Sequence, residues 1–529
     1  MILKYFLQGL LGSCLMIGHS LAQSPVTLSR AEYEDRVNAI WHGQMLAVFL
    51  TLRFEHQTAA AEAIDGLPRP YSEAWVDDDW YYELAALRAF EKHGLALSIK
   101  QLGDQWLENH CGSYGSSAMA LRNLRAGIVA PDCGHPRYNR LWWTIGPVFS
   151  SEIYGAICPA MPNEAGRMAR EYGHINGYAE SVDGGVFNAA AISLGFVERD
   201  TQRIVCKAAN MLDPSSPYRQ AVQMVIDGAG RGESFDQIAM AIEDRWHIEY
   251  PATNNAVANG GLAAASLWFG EGDFWKTVNL ASRAADFTDT DNSAAGAIAV
   301  IAAMKGMAAL PPELVSQLND RLVGIKMHNE TFNPSVDERI SDIARRTADI
   351  GEKVIVAQGG SVQSGTLEIV AQEPRTQAAE RFVLNDLLQY WNPDWTLHRA
   401  GFGGDDLGAM RGIRGITYLN GDTLITYPRD ETRGLYLSRS AKLGQSPKLH
   451  FEVAAEARKA WELNVYVGND QVLNKVIEGD NESIRWQAVE LDLSKYANEQ
   501  KTIRLYQRVL LPGLYKVPSN AHWKSIRLE

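Results

Sequence analysis

The chain has 529 residues, of which 46% are hydrophobic and 21% charged. That is an ordinary globular balance, with more length than one domain commonly uses. Its formal net charge is −13 and no Lys/Arg-rich run interrupts it. Such a field repels polyanions, which argues against nucleic acid or an anionic membrane surface as the principal partner.

The first residues read as an address. Lys4 precedes an apolar stretch from Tyr5 to Ile17, and Ser20-Leu21-Ala22 has the small-x-small form of a cleavage site. Residues 1–22 are therefore expected to be a signal peptide, with Gln23 the first mature residue. Leu11-Gly12-Ser13-Cys14 offers a lipoprotein box as the alternative, but Cys14 lies early and more apolar residues follow it. The stretch is too short for a permanent anchor, and no later stretch reads as long and apolar enough to span a bilayer. The mature chain is thus expected to be exported, periplasmic or extracellular. Removing the signal leaves Cys111, Cys133, Cys158 and Cys206. Cys111 with Cys133 is the preferred disulfide by loop length, and buried free thiols are the alternative. The spacing fits no zinc motif.

Residues 23–360 read as an all-α domain, with helical patterns at 32–54, 80–93, 99–109, 162–172, 185–196, 201–212, 218–227, 293–307 and 336–356. Alanine runs such as Ala59-Ala60-Ala61 and Ala263-Ala264-Ala265 let helices approach closely. The composition changes at Gly359-Gly360. Residues 361–529 carry short alternating runs at 367–370, 413–418, 423–427, 448–453, 461–467, 488–493 and 502–506, with a last strand at 522–528. Turn residues separate them, which predicts a second, all-β domain, a jelly-roll-like sandwich. Its Trp391, Trp395, Trp461, Trp486 and Trp523 could stack on sugar rings, although for any single one a place in the core is the favoured reading.

Two acidic clusters carry the chemistry. Asp77-Asp78-Asp79 leads into Trp80 to Phe90 at helical spacing, and Asp289-Thr290-Asp291-Asn292 leads into the small-residue run Ala294 to Met304. Either cluster alone reads as N-capping acids at a helix start. Together they offer the several oxygen donors that a hard divalent cation needs.

The wider pattern, from about Ile40 to Gly360, resembles the ADP-ribosylglycohydrolase family. Its opening Gly-to-Glu stretch is matched by His42-Gly43-Gln44-Met45 through Arg53-Phe54-Glu55, and its Thr-Asp-Asp-Thr motif by Asp77-Asp78-Asp79-Trp80. Its Asp-x-Asp-Thr motif falls on Asp289-Thr290-Asp291-Asn292. Between them come Ile145-Gly146-Pro147, Glu152-Ile153-Tyr154-Gly155, Pro159, Ala165, Ala169 and His174 in family order, and Gly306 to Pro312 follows. The resemblance implies an all-α fold and a pair of Mg²⁺ ions, with Mn²⁺ as a substitute. The implied ligands are Asp77, Asp78, Asp79, Asp289, Asp291 and Asn292. It implies Glu55, Asp78 and Asp291 as catalytic residues, Glu55 positioning or activating the attacking water. His174, Glu152 and Asp183 are the substrate-binding candidates it brings. Three departures stand out: Asp77 replaces a threonine, Asn292 a threonine or serine, and Phe287-Thr288 a Gly-Gly pair. The last predicts a differently shaped substrate pocket.

The expected function is therefore hydrolysis of a glycosidic bond at a di-metal site. The substrate would be a small molecule or oligosaccharide, either an extracytoplasmic saccharide or an ADP-ribosyl group. A non-catalytic, metal-dependent carbohydrate-binding protein is the alternative from another class. No nucleophile elbow, phosphate loop or dinucleotide fingerprint supports another route.

Overall fold

The computed structural model describes residues 25–247, 249–250, 252–399, 417–428, 434–510 and 517–529. The expected signal peptide and Cys14 lie outside the described residues, as does the run 413–418 apart from its last two residues. A helical half leads into an all-β region, the architecture read from the sequence. Helices α1 (Arg30–Thr51), α2 (Asp78–His93), α3 (Ile99–Asn109) and α4 (Gly115–Arg125) come first. Short α5 (Gly146–Phe149) and α6 (Glu152–Ala156) precede α7 (Pro162–Gly173), α8 (Glu180–Gly195), α9 (Thr201–Ala209) and α10 (Pro217–Gly230). Then come α11 (Phe235–Trp246), α12 (Ala256–Gly270), α13 (Phe274–Ser282), α14 (Thr290–Lys305), α15 (Pro312–Val315) and α16 (Ile340–Ala357).

The frame of this half is the packing of α1 on α14. A Cβ on Gly43 would come within 3.0 Å of Ile298, so glycine there allows the two helices to close on one another. Both are buried on nearly every face. The segment Thr290–Ala309 has a mean hydropathy of 1.2, long and apolar enough on those grounds to cross a membrane. This corrects the expectation that no later stretch reaches that mark. The segment is the 78% buried central helix of the helical half.

Two further corrections concern this half. The 336–356 pattern is helical only from Ile340, because Glu330–Arg339 is a strand paired with Arg321–Met327 in a hairpin. Strands alternate faces, and Val336 lies inward between exposed neighbours. Cys111, Cys133 and Cys158 are buried, Cys206 is half-buried, and all four are free thiols, so the preferred disulfide is absent. The Cys133 thiol donates instead to the carbonyl of Ile175 at 3.1 Å. A core this large holds without staples.

Past Gly360 the chain first returns to the helical half. Ser361–Gln363 and Thr366–Ile369 form a sheet with Val26–Ser29. Two sheets then face one another. One orders Asp470–Glu478, Lys459–Val467, Gln500–Arg508, Leu435–Lys442 and Thr396–Arg399. The other orders Arg485–Asp492, Lys448–Ala455, Ala521–Leu528, Thr423–Thr426 and Tyr418–Asn420. Both are antiparallel, apart from a two-residue parallel strand, Val517–Pro518, on the first. Trp461 and Trp523 meet across the interface with ring centroids 5.1 Å apart. These two and Trp395 are fully buried core. Trp391 donates its indole N–H to the Asp422 carbonyl, and Trp486 keeps an exposed ring under Lys524.

Candidate active site

Antiparallel packing of α1 and α14 brings the end of one beside the start of the other. The chain leaves α1 through a 3₁₀ turn, Leu52–Phe54, and delivers Glu55 and His56 next to the loop that enters α14. Two backbone bonds clasp the segments: His56 N–H to the Thr288 carbonyl at 2.9 Å, and Phe287 N–H to the Gln57 carbonyl at 2.6 Å. Both donors sit in the left-handed region, His56 at φ 55 and Phe287 at φ 54. A bulky residue with such a backbone is strained. Phe287 thus keeps the conformation a glycine would take freely while placing a half-exposed ring beside the site.

The second wall is the N-terminus of α2. Asp77 caps it, accepting the Asp79 N–H at 3.4 Å, and Asp78 and Asp79 occupy the first turn. Asp289 and Asp291 hold the same positions on α14. Asp289 is fixed from behind, its N–H donating to the Asn259 side chain at 2.9 Å. Positive helix ends thus face a common space and draw the carboxylates to it.

That space is a cavity of about 500 Å³, within the ordinary range for small-ligand sites. Glu55, His56, Asp77, Asp78, Asp79, Asp289 and Asp291 line it, with Trp75, Tyr114, Ser116, Ser117, Thr144, Phe149 and Asn254 completing the wall. None of the described lining residues is Lys or Arg. Burial, then the neighbouring acids, pushes every one of the five aspartates up. Asp77 rises to about 7, first from desolvation and next from Glu55 among the charges. Asp78, Asp79, Asp289 and Asp291 are held well above the usual range, desolvation leading and other acids of the cluster following.

Such a cluster fits a divalent cation. Ligand atoms of Asp77, Asp79 and Asp291 lie within 4.8 Å of one another, as do those of Glu55, His56 and Asp289. Asp79 Oδ2 and Asp291 Oδ1 are buried with no hydrogen-bond partner, an expensive condition unless something else meets them. The acidic clusters can therefore hold metal ions. Asn292 stands one step back. Its amide N–H points to Asp79 Oδ1 at 3.4 Å, and the residue lines a separate small pocket of about 20 Å³ rather than the cavity.

The three substrate-binding candidates do not line the cavity. Glu152 is buried behind it, accepting from Asn188 Nδ2 at 2.8 Å and raised to about 8 by desolvation. Asp183 is buried against Arg170 at 2.6 Å. His174 pairs with Glu380 at 2.8 Å, joining α7 to the segment that leads into the β-region. Sequence order placed them near the site, but the faces their helices turn decide otherwise. Conversely, His56, Trp75 and Tyr114 line the cavity without having been nominated. For His56 the only sequence signal was its place beside Glu55.

A family model described as ADP-ribosylglycohydrolase matches residues 29–352. The chain belongs to the ADP-ribosylglycohydrolase family. It is thereby assigned to a family of hydrolases, commonly metal-dependent. No curated protein matches the chain. Among solved structures it is similar to an ADP-ribosylglycohydrolase-related protein complex, at 15% identity and a TM-score of 0.41, covering 61% of this chain and 99% of that one. The chain is similar over 26% of its length to a structure described as "CBM4 structure and function" (13% identity, 88% of that chain covered, TM-score 0.18). It is also similar to a family 35 carbohydrate-binding module from Clostridium thermocellum (12%, 26% and 95%, TM-score 0.17). At these scores the structural likenesses carry no argument.

Proposed function

We propose that this protein is an exported, metal-dependent hydrolase that cleaves a glycosidic bond, with an extracytoplasmic saccharide or an ADP-ribosyl group as substrate. The observation that carries this reading is the convergence of Glu55 and five aspartates on one open cavity. Asp77, Asp78, Asp79, Asp289 and Asp291 would hold the metal, Mg²⁺ by the hardness of an oxygen-rich donor set, with Mn²⁺ a close substitute. Asn292 supports Asp79 from behind. The bound metal would supply fixed positive charge that orients substrate hydroxyls and steadies charge developing at the anomeric centre.

The protein's own groups do the rest. The Glu55 side chain is 33% exposed, open enough to meet a water. It takes a proton from that water as the oxygen attacks the anomeric carbon, the bond to the leaving oxygen breaks, and that proton passes to the leaving oxygen, restoring the Glu55 carboxylate. Ser116, Ser117, Thr144 and Asn254 offer hydrogen bonds to a polyhydroxylated ligand, while Trp75, Phe149 and Tyr114 offer apolar faces.

The test is product release by the mature protein, read by mass spectrometry, with Mg²⁺ and with a chelator. The panel holds ADP-ribosylated protein, ADP-ribosyl small molecules and mixed oligosaccharides. Chelator-sensitive release of sugar or of ADP-ribose supports the hydrolase. Binding of a panel member without turnover overturns it in favour of a metal-dependent carbohydrate-binding protein.

A further inference from the structure

Resting on the metal-dependent reading above, we propose that the two ligand groups of the cavity are chemically unequal, and that His56 makes one of them a mixed nitrogen and oxygen site selective for a late first-row ion. Fe²⁺, Co²⁺ and Zn²⁺ are of that class. Asp77, Asp79 and Asp291 present carboxylate oxygens alone. Such a set suits a small hard cation that keeps several waters. Glu55, His56 and Asp289 converge separately, and their set contains an imidazole. Imidazole nitrogen binds Fe, Ni, Cu and Zn far better than Mg²⁺ or Ca²⁺.

The geometry of the loop holds the ring there. His56 is fixed with φ 55 by its N–H bond to the Thr288 carbonyl, one residue before Asp289. The opposing bond from Phe287 to Gln57 closes the clasp. His56 Nε2 stands 3.2 Å from Glu55 Oε1. The other ring nitrogen, Nδ1, is buried with no hydrogen-bond partner. Metal-ligating histidines ordinarily give their second nitrogen to a carboxylate or carbonyl. Here the ring has a carboxylate beside Nε2 and an unpartnered Nδ1, and one of its nitrogens lies within 4.8 Å of ligand oxygens of both Glu55 and Asp289. A histidine that served only to hydrogen-bond Glu55 would leave Nδ1 unused.

The test compares the full-length protein with His56→Asn. Asparagine tolerates the left-handed backbone that His56 adopts, and it exchanges the ring nitrogen for an amide oxygen. Calorimetric titrations with Co²⁺ and with Mg²⁺ are run on both proteins. The proposal expects Co²⁺ affinity at one site to fall roughly 10- to 100-fold in the variant, with Mg²⁺ affinity changed by no more than about twofold. X-ray absorption of wild-type protein loaded with one equivalent of Co²⁺ should show imidazole scattering, a readout independent of any variant. Unchanged Co²⁺ affinity, or scattering from oxygen alone, overturns the proposal while leaving the hydrolase reading intact. Failure of the wild-type protein to bind either ion overturns both.

Discussion

Helix α2 carries acids at two depths, and they meet different fates. Asp78 and Asp79, in its first turn, face the open cavity with Glu55, Asp289 and Asp291. Glu83, one turn further in, is sealed among α1, α6 and α8, where Gln44 faces it and Glu152 is its charged neighbour. Both groups are short of cationic partners, and burial pushes both up. What differs is access. The cavity admits a hydrated ion, so charge there can be balanced by metal and kept for chemistry. The deep pair has no such entrance, and a proton is the cheap way to neutralise it. Carboxylates on one helix thus become metal-accessible groups or neutral core elements according to what reaches them.

The largest effect should come from the one acid given a proton to carry. Glu55→Gln keeps the shape and removes the base, and kcat should fall about 10²- to 10⁴-fold. Mg²⁺ affinity of the Asp77, Asp79 and Asp291 group, followed by calorimetry, should hardly move, whereas the Glu55, His56 and Asp289 group loses a carboxylate. An equal loss of both would make Glu55 a ligand first and a base second. Next comes the metal itself. Saturating Mg²⁺ binds only the folded cluster and should stabilise it by about 3 kcal/mol at 100-fold over Kd. A chelator should correspondingly lower the melting temperature by several degrees. No shift would mean the aspartates are neutralised by protons, as the deep pair is.

These contrasts were only partly visible in the chain itself. The two acidic clusters were legible because a helix N-terminus and the run behind it, amphipathic in α2 and rich in small residues in α14, are local properties. So was α3, whose start is marked by a Ser98–Gln101 capping box. Helix α12 went unread because it is buried on nearly every face, shows no apolar period and, unlike α14, has no acidic cluster at its start. The edge strand Asp470–Glu478 escaped for the opposite reason, since little of it is buried. Glu55 was reached only through family resemblance, and His56 not at all. Their meeting with Asp289 depends on α1 packing antiparallel to α14, which no local pattern encodes. That Glu152, Asp183 and His174 lie outside the cavity lining has the same root. Spacing along the chain does not say which way a helix turns its face.

The deep pair yields a test by pH. Glu152 is raised from 4.5 to about 8 in the folded protein, so between those values the folded state binds more protons than the unfolded one. Stability from this group is fully present below the unfolded value and is lost as pH rises towards 8. Glu152→Gln imitates the protonated acid and should flatten that part of the stability profile, measured by denaturant unfolding from pH 5 to 8. An unchanged slope would show that Glu152 is ionised in the fold, as the cavity acids are when metal balances them.

The smallest effect separates docking from binding. His174 and Glu380 form a part-buried pair, and Glu380 also accepts the Ala179 N–H at 3.2 Å. Nearby, Phe382 packs edge-on against Trp142, two residues before the cavity-lining Thr144. The segment that leads into the β-region therefore braces the loop that forms one wall of the site. His174→Gln should reduce stability by about 1 kcal/mol through the lost charge-assisted bond. With the ring outside the cavity lining, KM should change less than about twofold. A large rise in KM at constant kcat would instead show that the brace shapes the cavity, and that the accessory region takes part in substrate binding through this wall.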